Sequence, residues 1–375
     1  MRIQVSEELE RRAVIKVIGV GGAGGNAINR MAEAGIQGVE LIAANTDAQV
    51  LHKSMAEVRI QVGETLTKGL GIGGDHRKGK LAMLETEERV KEVLRGSDLV
   101  FVTTGMGGGT GTGGAPVVAG WAKELGVLTI GVVTRPFGFE GLHRASIAEE
   151  GIQAMRESVD TLLVIPNQRL LDIADSDMAA EAAYKMADDV LRRSIQSISD
   201  VITTAGAINM DLNDIRAIMK DAGEALIGMG EASGPGRSIQ AAKAAIHSPL
   251  LENVVMDGAK GLIVNITGRK ATLKLAEVEE AMGLITGAAS PDAKIKMGQV
   301  YDEALGETIR ITVIATGFPT RRRGLSRAGV PLRERRGLLG PQPQAVITDA
   351  AGAVPGSPED WSKPAYLRLK VRKLK

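Results

Sequence analysis

The chain has 375 residues, enough for two domains with cores of their own and a tail. It contains no cysteine, which excludes disulfides, thiolate metal sites and a cysteine nucleophile, and suits a reducing compartment. The net charge of +1 hides an asymmetry, because residues 319–375 carry 13 Lys and Arg against 4 Asp and Glu, a net of +9 that leaves −8 for residues 1–318. We therefore expect an acidic globular body with a basic tail.

The first residues of the sequence are not typical of a signal peptide. Residues 1–8 are too acidic and too polar for a signal peptide, and no run approaches the ~20 apolar residues of a membrane span. We expect a cytoplasmic protein without a transmembrane segment.

The first half of the chain alternates between apolar runs and amphipathic segments. Predicted strands are Val14–Val20, Val39–Ala44, Arg59–Val62, Leu99–Thr104, Val127–Val133 and Thr161–Ile165. Predicted helices are Ala27–Ala34, Lys78–Leu94, one from Ala115, and Arg144–Val159. This alternation indicates an α/β fold with a Rossmann-like parallel sheet, in which ligands bind at the carboxyl ends of the strands.

The most informative stretch is the loop Gly105–Gly114, which has seven glycines in ten positions. It follows a buried strand and precedes a helix that has Pro116 near its predicted first position. Glycines let successive N–H groups converge on an anion, and the helix adds its free N–H groups. The loop therefore predicts a phosphate cradle rather than a merely flexible turn.

Other glycine or polar loops also lie at predicted strand ends. Gly19, Gly21 and Gly24 match the G-x-G-x-x-G spacing, which is a weak signal alone. Asn45 and Asp47 follow the second strand. Because the carboxyl ends of parallel strands share one edge of the sheet, these loops are expected to assemble a single site. The remaining loops that we expect at this edge contain Gly73, Pro136 and Asn167.

A long helix is predicted over Asp177–Thr204, with a length of ~40 Å that suits a spacer between two domains. Tyr184 and Asp188 lie one turn apart near its start and could reach the nucleotide loops, although core packing is the alternative for an isolated tyrosine. Asn209, Asp211 and Asp214 crowd the loop that follows. Spacing alone leaves two interpretations of this acidic loop: helix capping by Asn213 or Asp214, or a carboxylate that polarises a water.

Residues 205–318 are predicted to form a compact α+β domain. Its strands lie near Ala225–Met229, Gly261–Thr267, Ile295–Val300 and Thr308–Gly317, and its helices near Ile215–Lys220, Ile239–Ile246 and Leu275–Gly287. Asn265 is expected to be a satisfied core amide. The four histidines are scattered and show no metal-ligand spacing.

The predicted organisation is thus a nucleotide-binding domain (1–176), a central helix (177–204), the α+β domain (205–318), a disordered linker (319–359) and a terminal peptide with a basic end (360–375). The aromatic, proline and leucine residues of Trp361–Arg368 predict a peptide that docks in a partner's groove.

Several segments together resemble the FtsZ family of tubulin-like bacterial cell-division GTPases. They are Gly21–Asn26, Asn45–Gln49, Gly105–Gly113, Phe139–Gly141 and Asn209–Asp214, and residues 364–368 resemble the family's terminal peptide. The resemblance implies a cytoplasmic GTPase of the mid-cell division ring that forms head-to-tail protofilaments. It also implies GTP or GDP with Mg²⁺, binding of membrane-tethering and regulatory proteins through the terminal peptide, and no nucleic-acid partner.

The resemblance also implies roles for individual residues. The phosphates, with the sugar and neighbouring groups, would be held by Gly21, Gly22, Ala23, Gly24, Gly25, Asn26, Asn45, Asp47, Gly73, Gly107, Gly108, Gly109, Thr110, Gly111, Thr112, Pro136, Glu140 and Arg144. The guanine would face Asn167, Tyr184 and Asp188. Asp211 and Asp214, with Asn209, would come from the next subunit and position the attacking water.

Two other functions fit parts of the pattern. A nicotinamide-dependent oxidoreductase could use the first glycine loop, but it leaves Gly105–Gly114 unexplained. A nucleotide-bound scaffold could assemble without hydrolysis, but the acidic loop argues against it. Binding of NAD(H), followed by its fluorescence, tests the first alternative, and phosphate release under assembly conditions would exclude the second.

Overall fold

The computed structural model describes residues 13–172, 177–204, 206–251 and 258–318. The strands are β1 (Ile15–Val20), β2 (Val39–Asn45), β3 (Val58–Gln61), β4 (Leu99–Gly105), β5 (Leu128–Arg135), β6 (Thr161–Pro166), β7 (Gly223–Ser233), β8 (Gly261–Gly268), β9 (Lys294–Tyr301) and β10 (Thr308–Thr316). The helices are α1 (Gly21–Glu33), α2 (Ala48–His52), α3 (Glu64–Thr67), α4 (His76–Glu85), α5 (Glu87–Leu94), α6 (Thr110–Glu124), α7 (Leu142–Ser158), α8 (Asn167–Leu170), α9 (Ala180–Thr203), α10 (Leu212–Met219), α11 (Arg237–Ile246) and α12 (Leu275–Ala288).

The described strands form one sheet in the order β3-β2-β1-β4-β5-β6-β7-β10-β8-β9. The first six strands are parallel, as the alternation of strands and helices predicts. Their order reverses between β1 and β4, and open α/β sheets bind ligands at such a switch point. The α/β class of the first half is confirmed.

The second half of the sheet is mixed. β7 and β8 both pair antiparallel with β10, whereas β8 and β9 are parallel. β6 pairs with β7 over three residues, Thr161–Leu163 against Gly223–Ala225, so the described parts of the two predicted domains share a sheet. The domain boundaries stay a prediction. The linker at 319–359 and the terminal peptide lie outside the described residues.

Apolar side chains cover both faces of the parallel half. One cluster packs β1, β4 and β5 against α1 and α9, and a second packs the opposite face against α4, α5, α6 and α7. A third cluster joins α11 and α12 to β8 and β10. Two covered faces explain why the parallel strands are continuous apolar runs.

The central helix α9 joins the two halves. It runs over 24 residues, somewhat shorter than the predicted Asp177–Thr204, and its buried stripe includes Val190, Leu191, Ile195, Ile198 and Val201. This stripe packs on α1 and β5 at one level and on β8 and β9 at another. No described helix is long and apolar enough to cross a lipid bilayer.

Further helix boundaries differ from the prediction. α1 begins at Gly21 rather than Ala27, and α6 begins at Thr110 rather than Ala115, so Pro116 lies inside α6. The predicted helix Lys78–Leu94 is two helices that meet at Thr86. At α6, tertiary packing outweighs local helix propensity. Gly113 has no side chain, so the backbone carbonyl of His76 can pack closely against this helix.

Candidate functional site

Two helix amino termini converge at the switch point of the sheet. α1 begins directly after β1, and α6 begins five residues after β4 ends. Neither helix has a side-chain cap or an acidic residue in its first turn. The first N–H groups of both helices therefore donate to no capping side chain, and no carboxylate in the first turn offsets the positive end of either helix dipole. This arrangement suits the binding of an anion.

The two turns touch each other. Gly21 has a left-handed φ of +74°, and a Cβ at this position would lie 2.9 Å from the backbone nitrogen of Gly111. The Thr104 hydroxyl donates to the Val20 carbonyl oxygen at 2.8 Å and ties β4 to the start of α1. The first glycine loop and the central glycine loop thus form a single surface, as their positions at strand ends predict.

The loop after β2 joins the same surface. The hydroxyl oxygens of Thr46 and Thr110 are 2.7 Å apart, and the Gly71 amide donates to the Thr46 carbonyl at 3.3 Å. Asp47 caps α2 by accepting from the amides of Gln49 and Val50, and Asn45 accepts from the Asp47 amide. Asn45 and Asp47 therefore stabilise the conformation of this loop through their own hydrogen bonds.

Open space lies beside several of the glycines. A Cβ at Gly22, Gly25, Gly73 or Gly108 would meet no other atom within 4 Å. The central glycine loop also has a close internal contact, in which the Thr112 hydroxyl accepts from the Gly107 amide at 2.9 Å. The site is thus a rim of closely packed backbone with room beside it for a phosphate group. The residues placed along this rim are Gly21, Gly22, Ala23, Gly24, Gly25, Asn26, Gly107, Gly108, Gly109, Thr110, Gly111 and Thr112.

Glu140 and Arg144 border this rim, since Gly107 lies against Arg144. Glu140 accepts from the Phe137 amide at 2.8 Å with one carboxylate oxygen and contacts Arg144 at 3.1 Å with the other. Its side chain is only 7% exposed. Glu140 therefore holds the turn after β5 and Pro136 in shape, while half of the Arg144 side chain stays exposed.

Tyr184 connects the start of α9 to that turn. Its ring packs edge-on against Phe137, with centroids 5.4 Å apart, and Phe137 stacks on Phe139 at 5.0 Å. Tyr184 and Phe139 both remain exposed. These rings provide an open apolar face on which a planar group could stack.

A buried amide and a partly buried carboxyl lie near this aromatic face. Asn167 is 6% exposed, and its side-chain oxygen has no hydrogen-bond donor among the described residues. Burial raises the pKa of Asp188 to about 6, and the positive charge of Arg30 only partly opposes this effect. Because α8 packs against α9, an unsatisfied carbonyl and a desolvated carboxyl lie on neighbouring helices. Both would be satisfied by a ligand that presents N–H groups.

The acidic loop lies at the other end of α9. Asp211 is the N-cap of α10 and accepts from the Asp214 amide at 2.7 Å, so the predicted capping by Asn213 or Asp214 is wrong. The cap lies earlier because α10 begins at Leu212 rather than Ile215. Asn209 accepts from the Gly206 amide at 2.8 Å. The sequence did not single out Lys296, whose Nζ is 2.5 Å from Asp214 Oδ1.

The acids of this loop are far from the glycine loops of the same chain. At 1.5 Å per residue, the 24 residues of α9 separate its two ends by roughly 36 Å. Tyr184, near the first end, packs on the turn after β5, whereas Asp211 and Asp214 follow the other end. No side chain spans this distance.

Comparisons with known proteins agree with this geometry. Residues 14–175 match the family model described as the GTPase domain of the Tubulin/FtsZ family, and residues 223–319 match the C-terminal domain of the FtsZ family. An FtsZ dimer from M. jannaschii is 42% identical, with a TM-score of 0.80 over 83% of this chain and 90% of that chain. A mutant FtsZ from M. jannaschii is also 42% identical, with a TM-score of 0.79 over 82% of this chain and 92% of that chain. CetZ2 from Haloferax volcanii, solved as a GTPγS-bound protofilament, shares the fold at 20% identity, with a TM-score of 0.69 over 83% of this chain and 95% of that chain.

Proposed function

This chain belongs to the tubulin/FtsZ family of GTPases, and on that premise we propose that it assembles head to tail into the filaments of a mid-cell division ring. We further propose that each GTP is hydrolysed where two subunits meet. The single observation that carries the proposal is that the acidic loop follows one end of α9, a helix roughly 36 Å long, whereas Tyr184 near the other end packs on the turn after β5. A site that needs both must draw on two molecules.

In this proposal the convergent starts of α1 and α6 hold the triphosphate by backbone N–H groups. Arg144 adds a side-chain cation beside Gly107. No lysine followed by serine or threonine ends either glycine loop, so the phosphate charge is balanced without a P-loop lysine. The guanine would stack by Tyr184, donate N–H groups to Asp188 and fill the unsatisfied acceptor of Asn167.

Mg²⁺ would neutralise the phosphate oxygens. The described residues include no group of three acidic or histidine side chains able to hold a metal ion, so most of its ligands would be phosphate oxygens and water.

Assembly would bring Asp211 and Asp214 of one subunit over the γ-phosphate of the next. There the carboxylates would orient the attacking water, and the rate gain would come from positioning and electrostatic stabilisation. Asp211 is exposed, and the Asp214 side chain is 33% exposed, so both acids are available to a neighbour.

Apolar residues around the nucleotide loops also favour a covering subunit. Leu70, Phe139 and Leu142 are 83%, 63% and 91% exposed, and exposed apolar side chains grouped around one site are typical of an interface. A head-to-tail contact uses two different surfaces and does not close, so it produces filaments.

Sedimentation and phosphate release, measured in the same samples with GTP, GDP or NAD⁺, test the proposal. We expect GTP alone to give pelletable polymer, and turnover per subunit to rise steeply with protein concentration. Turnover that is independent of concentration would contradict the shared site. Binding of NAD(H), followed by its fluorescence, would instead favour the oxidoreductase. Polymer without phosphate release would favour the inert scaffold.

The terminal peptide Trp361–Arg368 lies outside the described residues. We propose that it binds membrane-tethering and regulatory division proteins, because its aromatic, proline and leucine residues suit a docking peptide. Truncation after residue 359 is expected to abolish this binding and to leave GTP turnover in filaments intact.

A further inference from the structure

Lys296 is the one cation paired with the acidic loop in the described part of the chain. Its Nζ lies 2.5 Å from Asp214 Oδ1, and this hydrogen bond, followed by the charge of Asp214, raises the pKa of the lysine. The more distant charge of Asp211 acts in the same direction. The lysine thus stays protonated and compensates one of the two negative charges of the loop.

The backbone makes Lys296 and the acidic loop one unit. Lys296 lies on β9, the edge strand of the sheet, and three residues later the Gln299 amide donates to the Ile208 carbonyl at 2.9 Å. This bridge attaches the start of the acidic loop to β9. A neighbour that receives Asp214 therefore receives the Lys296 ammonium as well, and the lysine side chain is 43% exposed.

The ion pair between Lys296 and Asp214 would reduce an electrostatic repulsion at the interface. Two carboxylates that approach a triphosphate are repelled by it, and the repulsion strengthens as the interface excludes water. The positive end of the α10 helix reduces the repulsion only in part. A cation that arrives with the acids lowers it further, and it does so most when the γ-phosphate is present.

We propose that Lys296 is a positioning residue that carries positive charge into the nucleotide site of the next subunit and thereby admits Asp211 and Asp214 to the γ-phosphate. This inference rests on the proposed function, because it needs the acids to act across an interface. Lys296 contributes to assembly and turnover of GTP-bound subunits and has no part in the binding of GTP to an isolated subunit.

The test compares Lys296→Gln, Lys296→Arg and a matched control, Lys294→Gln. Lys294 lies on the same strand and on the same side, is exposed, and makes no ion pair with any described residue, so its removal changes the net charge equally. GTP affinity is measured below the critical concentration for assembly. The critical concentration and the turnover are then measured at salt concentrations from about 50 to about 500 mM, over which the Debye screening length falls from roughly 14 to roughly 4 Å.

We expect Lys296→Gln to bind GTP as the wild type does and to have a critical concentration about three- to tenfold higher at low salt. The difference should shrink at high salt and be smaller with GDP, while Lys296→Arg and Lys294→Gln behave like the wild type. The proposal is overturned if Lys296→Gln matches Lys294→Gln. It is equally overturned if Lys296→Gln hydrolyses GTP faster, because the ion pair would then restrain Asp214. A wild type that neither assembles nor hydrolyses GTP would instead refute the proposed function.

Discussion

At the scale of one residue, partial burial changes the pKa of the Asp188 carboxyl, a proposed ligand-binding group. Desolvation raises the pKa of its carboxyl to about 6, and the described structure gives this carboxyl no ion-pair partner. A ligand N–H group that donates to the charged form lowers this pKa, so binding and deprotonation favour each other. The sequence placed this residue near the site but could not show its raised pKa.

We expect GTP affinity to be constant well above pH 6 and to fall as the pH decreases through about 6, by up to ~tenfold per unit, because protonation removes the charged acceptor. Titration of a fluorescent GTP analogue between pH 5 and 8 measures this, and Asp188→Asn should remove the pH dependence. Asp189→Asn is the control, because Arg192 and Arg193 lower the pKa of Asp189 against the effect of its burial. A wild type with pH-independent affinity would rule out the role of Asp188.

Asp214→Ala should bind GTP normally and assemble at least as well as the wild type, because it removes a negative charge from the interface. Its turnover in filaments should fall by a factor of about 10² or more, the usual contribution of a positioned acid or base. Asn213→Ala, the exposed neighbour in the same turn, is the control. Full turnover by Asp214→Ala filaments would remove Asp214 from the mechanism.

At the scale of elements, the site depends on where α1 and α6 begin. Both helices start inside the glycine loops, so the N–H groups that could bind phosphate belong to helix first turns rather than to free loops. Asn265, predicted as a satisfied amide, is confirmed: it is buried on β8 and donates to the Ser197 carbonyl of α9 at 3.0 Å. The interior position of Pro116 was not foreseen, because proline is preferred at the first turn of isolated helices.

Gly21→Ala should separate the two helix starts. Alanine at φ +74° is strained, and its Cβ would lie 2.9 Å from the Gly111 nitrogen. We expect the free energy of unfolding to decrease by about 1–3 kcal/mol, and GTP affinity to decrease by more than ~tenfold. Chemical denaturation and GTP titration measure the two effects.

Gly120→Ala is the matched control for that substitution. It lies within α6, has no left-handed φ, and a Cβ there would meet no other atom within 4 Å. It should raise the free energy of unfolding by about 0.5–1 kcal/mol and leave GTP affinity unchanged. Equal behaviour of the two variants would show that the contact at Gly21 is unimportant.

At the scale of the whole molecule, one sheet and one long helix set the distance between the two halves of the proposed active site. β6 pairs with β7, and α9 packs on strands from both halves. These contacts hold the acidic loop away from its own nucleotide loops. Hydrolysis is thereby coupled to assembly in the proposed mechanism.

Asp214→Ala and Gly21→Ala should therefore complement each other when they are mixed at a GTP concentration too low to occupy the weakened site of Gly21→Ala. Asp214→Ala keeps its nucleotide loops, and Gly21→Ala keeps its acidic loop. An equimolar mixture should reach about a quarter of wild-type turnover, since one random interface in four joins the two intact halves. Co-sedimentation shows that both variants enter the polymer, and co-polymers that stay inactive would contradict a site shared between subunits.

The amino-acid sequence was sufficient to predict the strands and most helices, the parallel half of the sheet, and the edge at which the glycine loops gather. It could do so because hydrophobic periodicity and glycine content act over a few residues. It also carried the family resemblance, which the comparisons confirm.

Four features could be found only in the folded chain. They are the starts of α1 and α6, the junction of β6 with β7, the raised pKa of Asp188 and the pairing of Lys296 with Asp214. Lys296 and Asp214 are 82 positions apart in the chain, and local pattern carries no information about such pairs. Packing density, burial and charge proximity depend on which distant segments become neighbours, so they exist only once the chain has folded.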